Sequence, residues 1–499
     1  MDILERGMSG KSSNIKESSK FSGSAGAGEF LVAAIVYTGK FRDLITGGNR
    51  NICSLLEAIG CAIELIDGLE LLGCCNQERI FRRTGAAVKE RNDFIFVIFE
   101  LLCRIACGDK VGACALSFTV GGIEFFKYAA DPSVVSLSAG NPSPDAFPSK
   151  EIAEISAKVF AEDPISVLQY SVSEGYTPLR KHLTEYMKKE HNTGSDNDDI
   201  LITTGAQQIM DLCSKALVNE GDVVICEAPS FIGSLNTFRS YNAKLAGVPV
   251  EPDGMSTEKL EEALKANPNA KLIYTIPNFQ NPSGVTMSLE KRKKVYELAK
   301  KYGVLIIEDN PYGDLRYSGE YVPNIKSFDT DGIVIYAGSF SKVISPGMRV
   351  AYTIAPKPIF QKLVVCKQGN DVHTNIWAQY VCDEFITKYD FNAHLAKLRE
   401  IYTKKANFCM ELLDKYCAPK ITYHKIDGGL FIWCDLPEDI DMPNFCKELV
   451  LKKVCVVPGN AFLTDENETC HSFRINFSTP TDEQLERGIK ILGEYANSL

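Results

Sequence analysis

Between residues 200 and 355, short apolar runs alternate with longer amphipathic ones. ILITTG (200–205), DVVICEAP (222–229), KLIYTIP (271–277), VLIIED (304–309), IVIYAG (333–338) and MRVAYTIA (348–355) are too short for helices and rich in β-branched residues, so they predict strands. AQQIMDLCSKALV, directly after the first run, and SLEKRKKVYELAKKYG (288–303) carry apolar residues at helical spacing. Apolar strands joined by helical crossovers predict a mostly parallel sheet covered by helices on both faces, an α/β fold.

The pattern changes on either side. After about residue 356 a long helical region (about 376–415) precedes ITYHKIDGGLFIWCDL, KKVCVVPG and SFRINFS, then a last helix opened by Thr481 with Glu483 and Gln484 in its first turn. This predicts a smaller C-terminal α+β domain. Residues 1–28 are rich in Ser, Gly and Lys and read as disordered. Residues 29–116 are helix-leaning and rich in cysteine, and carry no chemical motif. The expected organisation is an unassigned extension over 1–116, an arm and substrate loop over 117–160, a large domain over 161–355 and a small domain over 356–499.

Composition removes several function classes. The 499-residue chain has a formal charge of −10 and a pI near 5.4, which disfavours binding to phosphate backbones. The 17 cysteines show no repeated CxxC frame and no neighbouring histidine cluster, so they read as free thiols of a reducing, cytoplasmic compartment rather than zinc ligands. No metal site is expected. ICSLLEAIGCAIELIDGLELLGCC (52–75) and FIFVIFELLCRIAC (94–107) contain acidic and basic residues, and the second is shorter than the roughly 20 apolar residues that a span needs. Both read as packed helices. The opening residues lack the apolar core of a secretory signal.

In an open parallel sheet, ligands bind at the carboxyl ends of the strands. There the sequence places Gly205, Ala206 and Gln207 at a helix start suited to phosphate. It also places Phe231 as an aromatic face, Asn278 and Asn281 in NFQNPSG, Asp309 and Tyr312 in EDNPYGDLRY, and Ser339, Ser341 and Lys342 in GSFSKV, with Arg349 opening the next strand. Singly, each has a plain structural reading as punctuation, core, cap, turn or solvated lysine. Together they match what pyridoxal phosphate requires: an amine, an acid for the ring nitrogen, donors for the ring oxygen and a phosphate cradle.

The chain from about 117 to 499 resembles the fold-type I, class I aminotransferases, and most of all their 2-aminoadipate, kynurenine and aromatic branch. The resemblance rests on LSAGNPSPDAFP (137–148), LQYSVSEGYTPLR (168–180), TTGAQQIMDL (203–212), EAPSFIGSLNTF (227–238), PNFQNPSG (277–284), EDNPYGDLRY (308–317), GSFSKVISPGMRVAY (338–352) and FRINFS (473–478). It implies that Lys342 bonds to the cofactor and shuttles the proton, and that Asp309 pairs with the ring nitrogen. Asn281 and Tyr312 would bond the ring oxygen, and Phe231 would stack on the ring. Gly205, Ala206, Gln207, Ser339, Ser341 and Arg349 would hold the phosphate. Tyr170 would reach the phosphate of a second copy, which implies a homodimer. Arg474 would clamp the substrate carboxylate, with Asn281, Gly140 and Asn141 bordering the substrate.

The implied reaction moves the amino group of an L-amino acid to a 2-oxo acid, 2-oxoglutarate, by ping-pong kinetics. Two positions depart from the branch: Phe231 replaces a frequent tyrosine, and Asn141 stands in a loop that often reads glycine-glycine-leucine. Phe125, Phe126 and Tyr128 make aromatic substrates plausible, or form a packed arm. A β-lyase acting on cysteine conjugates would share these residues. A transcription regulator with an aminotransferase-like domain is disfavoured, because the basic and acidic residues of the extension nearly balance.

Overall fold

The computed structural model describes residues 131, 133–465 and 467–499. The extension over 1–116 and the arm residues Phe125, Phe126 and Tyr128 lie outside the described residues, as do the readings made of them.

The described chain opens with β1 (Val135–Ser136), α1 (Ser149–Glu162), α2 (Pro164–Leu168) and α3 (Thr177–His191). Strands and helices then alternate: β2 (Asp198–Thr204), α4 (Ala206–Leu217), β3 (Val223–Ala228), α5 (Ile232–Ser240), β4 (Lys244–Glu251), β5 (Gly254–Met255) and α6 (Thr257–Ala266). They continue as β6 (Ala270–Thr275), α7 (Leu289–Tyr302), β7 (Leu305–Asn310), β8 (Val334–Ser339), β9 (Val350–Pro356), α8 (Lys357–Gln368), α9 (Ile376–Lys388) and α10 (Phe391–Tyr416). The rest comprises β10 (Thr422–Tyr423), β11 (Phe431–Asp435), α11 (Met442–Leu451), β12 (Val454–Cys455), β13 (Val457–Pro458), β14 (Ser472–Asn476) and α12 (Asp482–Ala496).

The large sheet has eight strands in the order β2-β9-β8-β7-β6-β3-β4-β5. Its β4–β3–β6–β7–β8 stretch is parallel, while β9 runs antiparallel to both its neighbours. The inner strands are apolar throughout because both faces are covered: Val224, Ile225, Cys226, Leu272, Ile273, Ile306, Ile307, Val334 and Ile335 are all fully buried.

Local signals set the helix ends. Ser288 caps α7 by accepting from the Lys291 N–H, and Gly303 closes it in the left-handed region at φ 69°. Thr481 and Gln484 form a reciprocal capping box at α12, where the sequence pattern predicts the cap. The helical region after 376 is two helices. Asp390 interrupts it by accepting from the Ala393 N–H at 2.9 Å and starting α10.

The end of the strand pattern at 356 is not the end of the core those strands build. That core runs on through Leu363, Val381, Phe385 and Leu398 to Tyr402, and takes in Leu430 and Phe431 as well. The core of the four-stranded sheet β10-β11-β14-β13 begins with Ala406, further along α10, and takes in Val135 and Leu137 from the start of the described chain. The cysteines of the described residues are all free thiols, most of them buried. Among the described residues no helix is long and apolar enough to cross a membrane.

Candidate active site

Strand direction brings the site together. β2 is antiparallel to β9 and β9 to β8, so β2 ends at the same edge as β3, β6, β7 and β8. β9 begins at that edge, with Val350 opposite Thr204 and Ala351 opposite Ser339. Arg349, immediately before β9, therefore lies on the rim beside Gly205 and Ser339.

At one end of the rim, Gly205 caps α4 with φ 76° and ψ 161°, and no side chain satisfies the first-turn N–H groups. That backbone region is essentially restricted to glycine. A Cβ on Gly205 would also strike the Arg349 guanidinium, with Cζ only 2.6 Å away. Arg349 itself takes a positive φ of 54°. The Ser341 N–H donates to Ser339 Oγ at 3.1 Å. The Gln207 side chain turns away, donating to Gly233 O at 2.8 Å and to the Thr237 hydroxyl, so only its backbone N–H is offered at the helix start.

Behind this junction lies a buried network that no sequence motif marks. Lys367 Nζ, fully buried, donates to Gln208 Oε1 at 2.8 Å and to Asp371 Oδ1 at 2.7 Å. Gln208 Oε1 also accepts from the Thr204 N–H, and Asp371 Oδ2 accepts from the Thr204 hydroxyl at 2.6 Å. The network ties the end of β2 to the first turn of α4.

In the middle of the rim, Asp309 is buried. Its Oδ2 accepts from the Tyr274 hydroxyl at 2.8 Å and its Oδ1 has no partner. Burial pushes its pKa up to about 6, against the lowering effect of the Tyr274 bond. Lys342 Nζ donates to Gly140 O at 2.8 Å. Burial and then the Arg474 and Arg349 charges bring the Lys342 pKa down to about 8. Tyr312 is buried and meets the Phe431 ring edge-on at 5.7 Å. Burial raises its pKa, although the nearby Arg474 charge opposes this.

Arg474, on β14, is buried and makes no ion pair among the described residues. Its Nη1 donates to Asn281 Oδ1 at 2.7 Å, its Nη2 to Ser138 O at 2.6 Å, and its Nε has no partner. Phe431 and Phe462 lie 4.2 and 4.9 Å from its Cζ, their faces toward the cation. Burial lowers its pKa to about 10. Asn281 is held in turn by its loop. Glu227, at the end of β3, accepts from Gln280 Nε2 and the Ile276 N–H, both at 3.1 Å, and from Thr275 Oγ1 at 2.6 Å. Arg292 of α7 donates to Pro277 O at 2.9 Å and to Asn278 Oδ1 at 2.7 Å.

The remaining expected residues are placed as follows. Gly140 packs so closely on Phe431 that a Cβ would stand 3.2 Å from the ring. Asn141 is exposed, and its carbonyl accepts from Ser478 Oγ at 2.5 Å and Thr479 Oγ1 at 2.9 Å. Phe231 is half-buried at the start of α5, its ring against Gly233. Tyr170 stands apart from the rim cluster with 82% of its surface exposed, its ring edge-on to His373 at 5.9 Å. Of the sequence-predicted residues, the rim therefore gathers Gly205, Ala206, Gln207, Asn281, Asp309, Tyr312, Ser339, Ser341, Lys342 and Arg349, with Arg474 and Gly140 joined to it by hydrogen bonds.

The donor set fits pyridoxal phosphate. It offers an amine of lowered pKa, a buried carboxylate oxygen lacking its donor, and an open helix start backed by a glycine that leaves room for a guanidinium. Fold and site thus define a pyridoxal-phosphate-dependent transaminase. Residues 132–492 match the family model for aminotransferase class I and II. An aromatic-amino-acid aminotransferase of Thermococcus litoralis is 37% identical over 74% of this chain and 90% of its own length. A 2-aminoadipate transaminase of Thermus thermophilus is 34% identical over 75% of this chain and 93% of its own. The structure of Pyrococcus horikoshii kynurenine aminotransferase in complex with PMP superposes with a TM-score of 0.73 at 34% identity, covering 76% of this chain and 94% of that one. The chain belongs to the class I and II aminotransferase family, whose cofactor is pyridoxal phosphate.

Proposed function

We propose that this protein transfers the amino group of an L-amino acid of the aromatic or 2-aminoadipate type to 2-oxoglutarate in a ping-pong cycle. The names of the relatives support the donor class. The observation that carries the reading is Arg474: a buried guanidinium without an ion pair among the described residues, whose charge helps lower the pKa of Lys342. A buried cation left uncompensated invites an anion, and the substrate α-carboxylate fits its planar fork.

Bound pyridoxal phosphate supplies a carbonyl for covalent attachment and an electron-withdrawing ring that acidifies the Cα–H of the substrate. Lys342 Nζ would hold the cofactor covalently between turnovers. Burial and the Arg474 and Arg349 charges bring the pKa of Nζ down to about 8 and so favour its neutral form, and as a neutral amine it would take the proton from the substrate Cα and return it one position along. Asp309 keeps the ring nitrogen protonated through its partnerless oxygen. Asn281 and Tyr312 bond the ring oxygen, and Phe231 covers a ring face. The N–H groups after Gly205, at Ala206 and Gln207, hold the phosphate with Ser339, Ser341 and Arg349.

Arg474 exchanges Asn281 Oδ1 and Ser138 O for the substrate carboxylate, with Gly140 and Asn141 at the substrate's edge. Tyr170 serves the phosphate of a second copy in a homodimer. Its own exposure and that of neighbouring Ile165 (71%) and Leu168 (72%) support such a contact. The free thiols agree with a cytoplasmic setting.

The test is spectroscopic. The protein reconstituted with pyridoxal phosphate should show the absorption band of the lysine-bound cofactor, and Lys342→Ala should lack both band and turnover. A band that persists in Lys342→Ala without added amine overturns the assignment. Initial rates with 2-aminoadipate, kynurenine, phenylalanine, tyrosine and leucine against 2-oxoglutarate should give parallel double-reciprocal lines for the true donor.

A further inference from the structure

Tyr274 belongs to no site motif. It lies within the apolar run of β6, is fully buried, and packs edge-on against Phe238 at 5.5 Å. A phenol in that position requires hydrogen-bond partners. It has two: its oxygen accepts from Ser234 Oγ at 2.9 Å, and its O–H donates to Asp309 Oδ2 at 2.8 Å.

The direction of this chain is fixed by chemistry. An ionised carboxylate only accepts, so the tyrosine proton points to Asp309 and the serine proton must satisfy the tyrosine oxygen. Register brings the two strands into line. Tyr274 pairs with Ile307, and Asp309 lies two residues further along β7, on the same face of the sheet. Ser234 sits in the first turn of α5, where its N–H donates to Phe231 O at 3.0 Å. The short segment that carries Phe231 thus also carries the start of the chain.

We infer that Ser234 and Tyr274 are positioning residues: together they fix Asp309 by one carboxylate oxygen, so that the other is held ready for the N–H of the cofactor ring. The inference rests on the assignment of Asp309 made above. The other titratable groups that bear on Asp309 are Glu227 and Tyr312. Both sit unchanged in the variants below, and a fixed pH keeps their state common to every comparison.

The test measures binding rather than turnover. Full-length apoenzyme at pH 8 is titrated with pyridoxal phosphate and with its 1-deaza analogue, in which a C–H replaces the ring nitrogen. The parent should prefer the natural cofactor. Tyr274→Phe keeps the ring's packing and removes one hydrogen bond to a charged group, so that preference should shrink by about tenfold or more. The analogue's own affinity should barely change. Ser234→Ala should narrow the preference in the same direction by less, and it decides the matter if Tyr274→Phe does not fold. Equal losses for both ligands would mean that the two hydroxyls only support packing, and this would overturn the relay. A parent that does not discriminate between the ligands would instead overturn the Asp309 assignment, leaving the cofactor itself in place.

Discussion

Gly205→Ala puts two constraints of the phosphate end into one side chain. At φ 76° and ψ 161° an alanine costs about 1–3 kcal/mol in backbone strain alone. The new Cβ would also come within 2.6 Å of Arg349 Cζ and 3.1 Å of Nη1, so the guanidinium must leave. Arg349 is exposed and can swing outward, which spares the fold but removes the charged donor proposed for the phosphate. Loss of a charge-assisted hydrogen bond should weaken pyridoxal phosphate binding tenfold or more. The assay is a double-mutant cycle over Gly205→Ala and Arg349→Ala, read by thermal unfolding of the apoenzyme and by cofactor titration. The backbone cost should appear in both backgrounds. The affinity loss on Gly205→Ala should largely vanish once Arg349 is already alanine. If affinity falls by the same factor in both backgrounds, the guanidinium was not displaced, and the pairing of Gly205 with Arg349 has no part in phosphate binding.

Three further outcomes are expected. Arg474→Lys loses the planar fork, so KM for both the amino and the oxo acid should rise at least tenfold in steady-state kinetics, while the lysine-bound cofactor band remains. Lys326 Nζ is buried between Asp198 Oδ1 at 2.6 Å and Asp329 Oδ2 at 2.9 Å. Lys326→Met strands two carboxylates and should cost about 3–5 kcal/mol in denaturant unfolding, and a loss below 1 kcal/mol would refute the pairing. Burial raises the Glu227 pKa from 4.5 to about 7, so the folded state binds its proton more tightly than the unfolded state does. Its contribution is fully present below pH 4.5 and is lost as pH rises through about 7, a swing of about 3 kcal/mol. Glu227→Gln should flatten the stability–pH curve across that window and be at least as stable as the parent at pH 8, because the Thr275 hydroxyl can reverse and accept from the new amide.

Much of the site was legible because its residues follow strands, where a break from apolar to polar text marks the rim. Lys342, Asp309, Asn281 and Gly205 were visible on that ground alone. What escaped is what holds them. Tyr274 and Glu227 lie inside strand text and read there as core, Lys367 lies in the unassigned stretch between the last strand and the helical region, and Arg292 reads as a surface residue of a basic helix. Their partners come from other elements: Arg474 meets Asn281 across 193 positions and Lys367 meets Gln208 across 159. No local pattern encodes such pairs. Gln207 shows the opposite limit, since its position was legible but the turn of its side chain toward Gly233 was not. The apolar pattern at 348–355 announced a strand without its direction.

That direction decides the chemistry of Lys342. Had β9 been parallel to β8, its first residue would stand at the far edge of the sheet, and seven residues of strand span roughly 20 Å. Instead β9 reverses at once. Phe340 N–H donates to Val350 O at 3.1 Å, and the turn between them carries Lys342. Lys342 and Arg349 are thus kept on the same rim by the antiparallel pairing itself, with Arg474 brought in from β14. A solvated lysine would feel two such charges only weakly, because water screens them. Half-buried, Lys342 feels both, and they add to desolvation in favouring its neutral form. Arg349, the proposed phosphate ligand, thus also favours the neutral form of the neighbouring amine as long as no anion meets it.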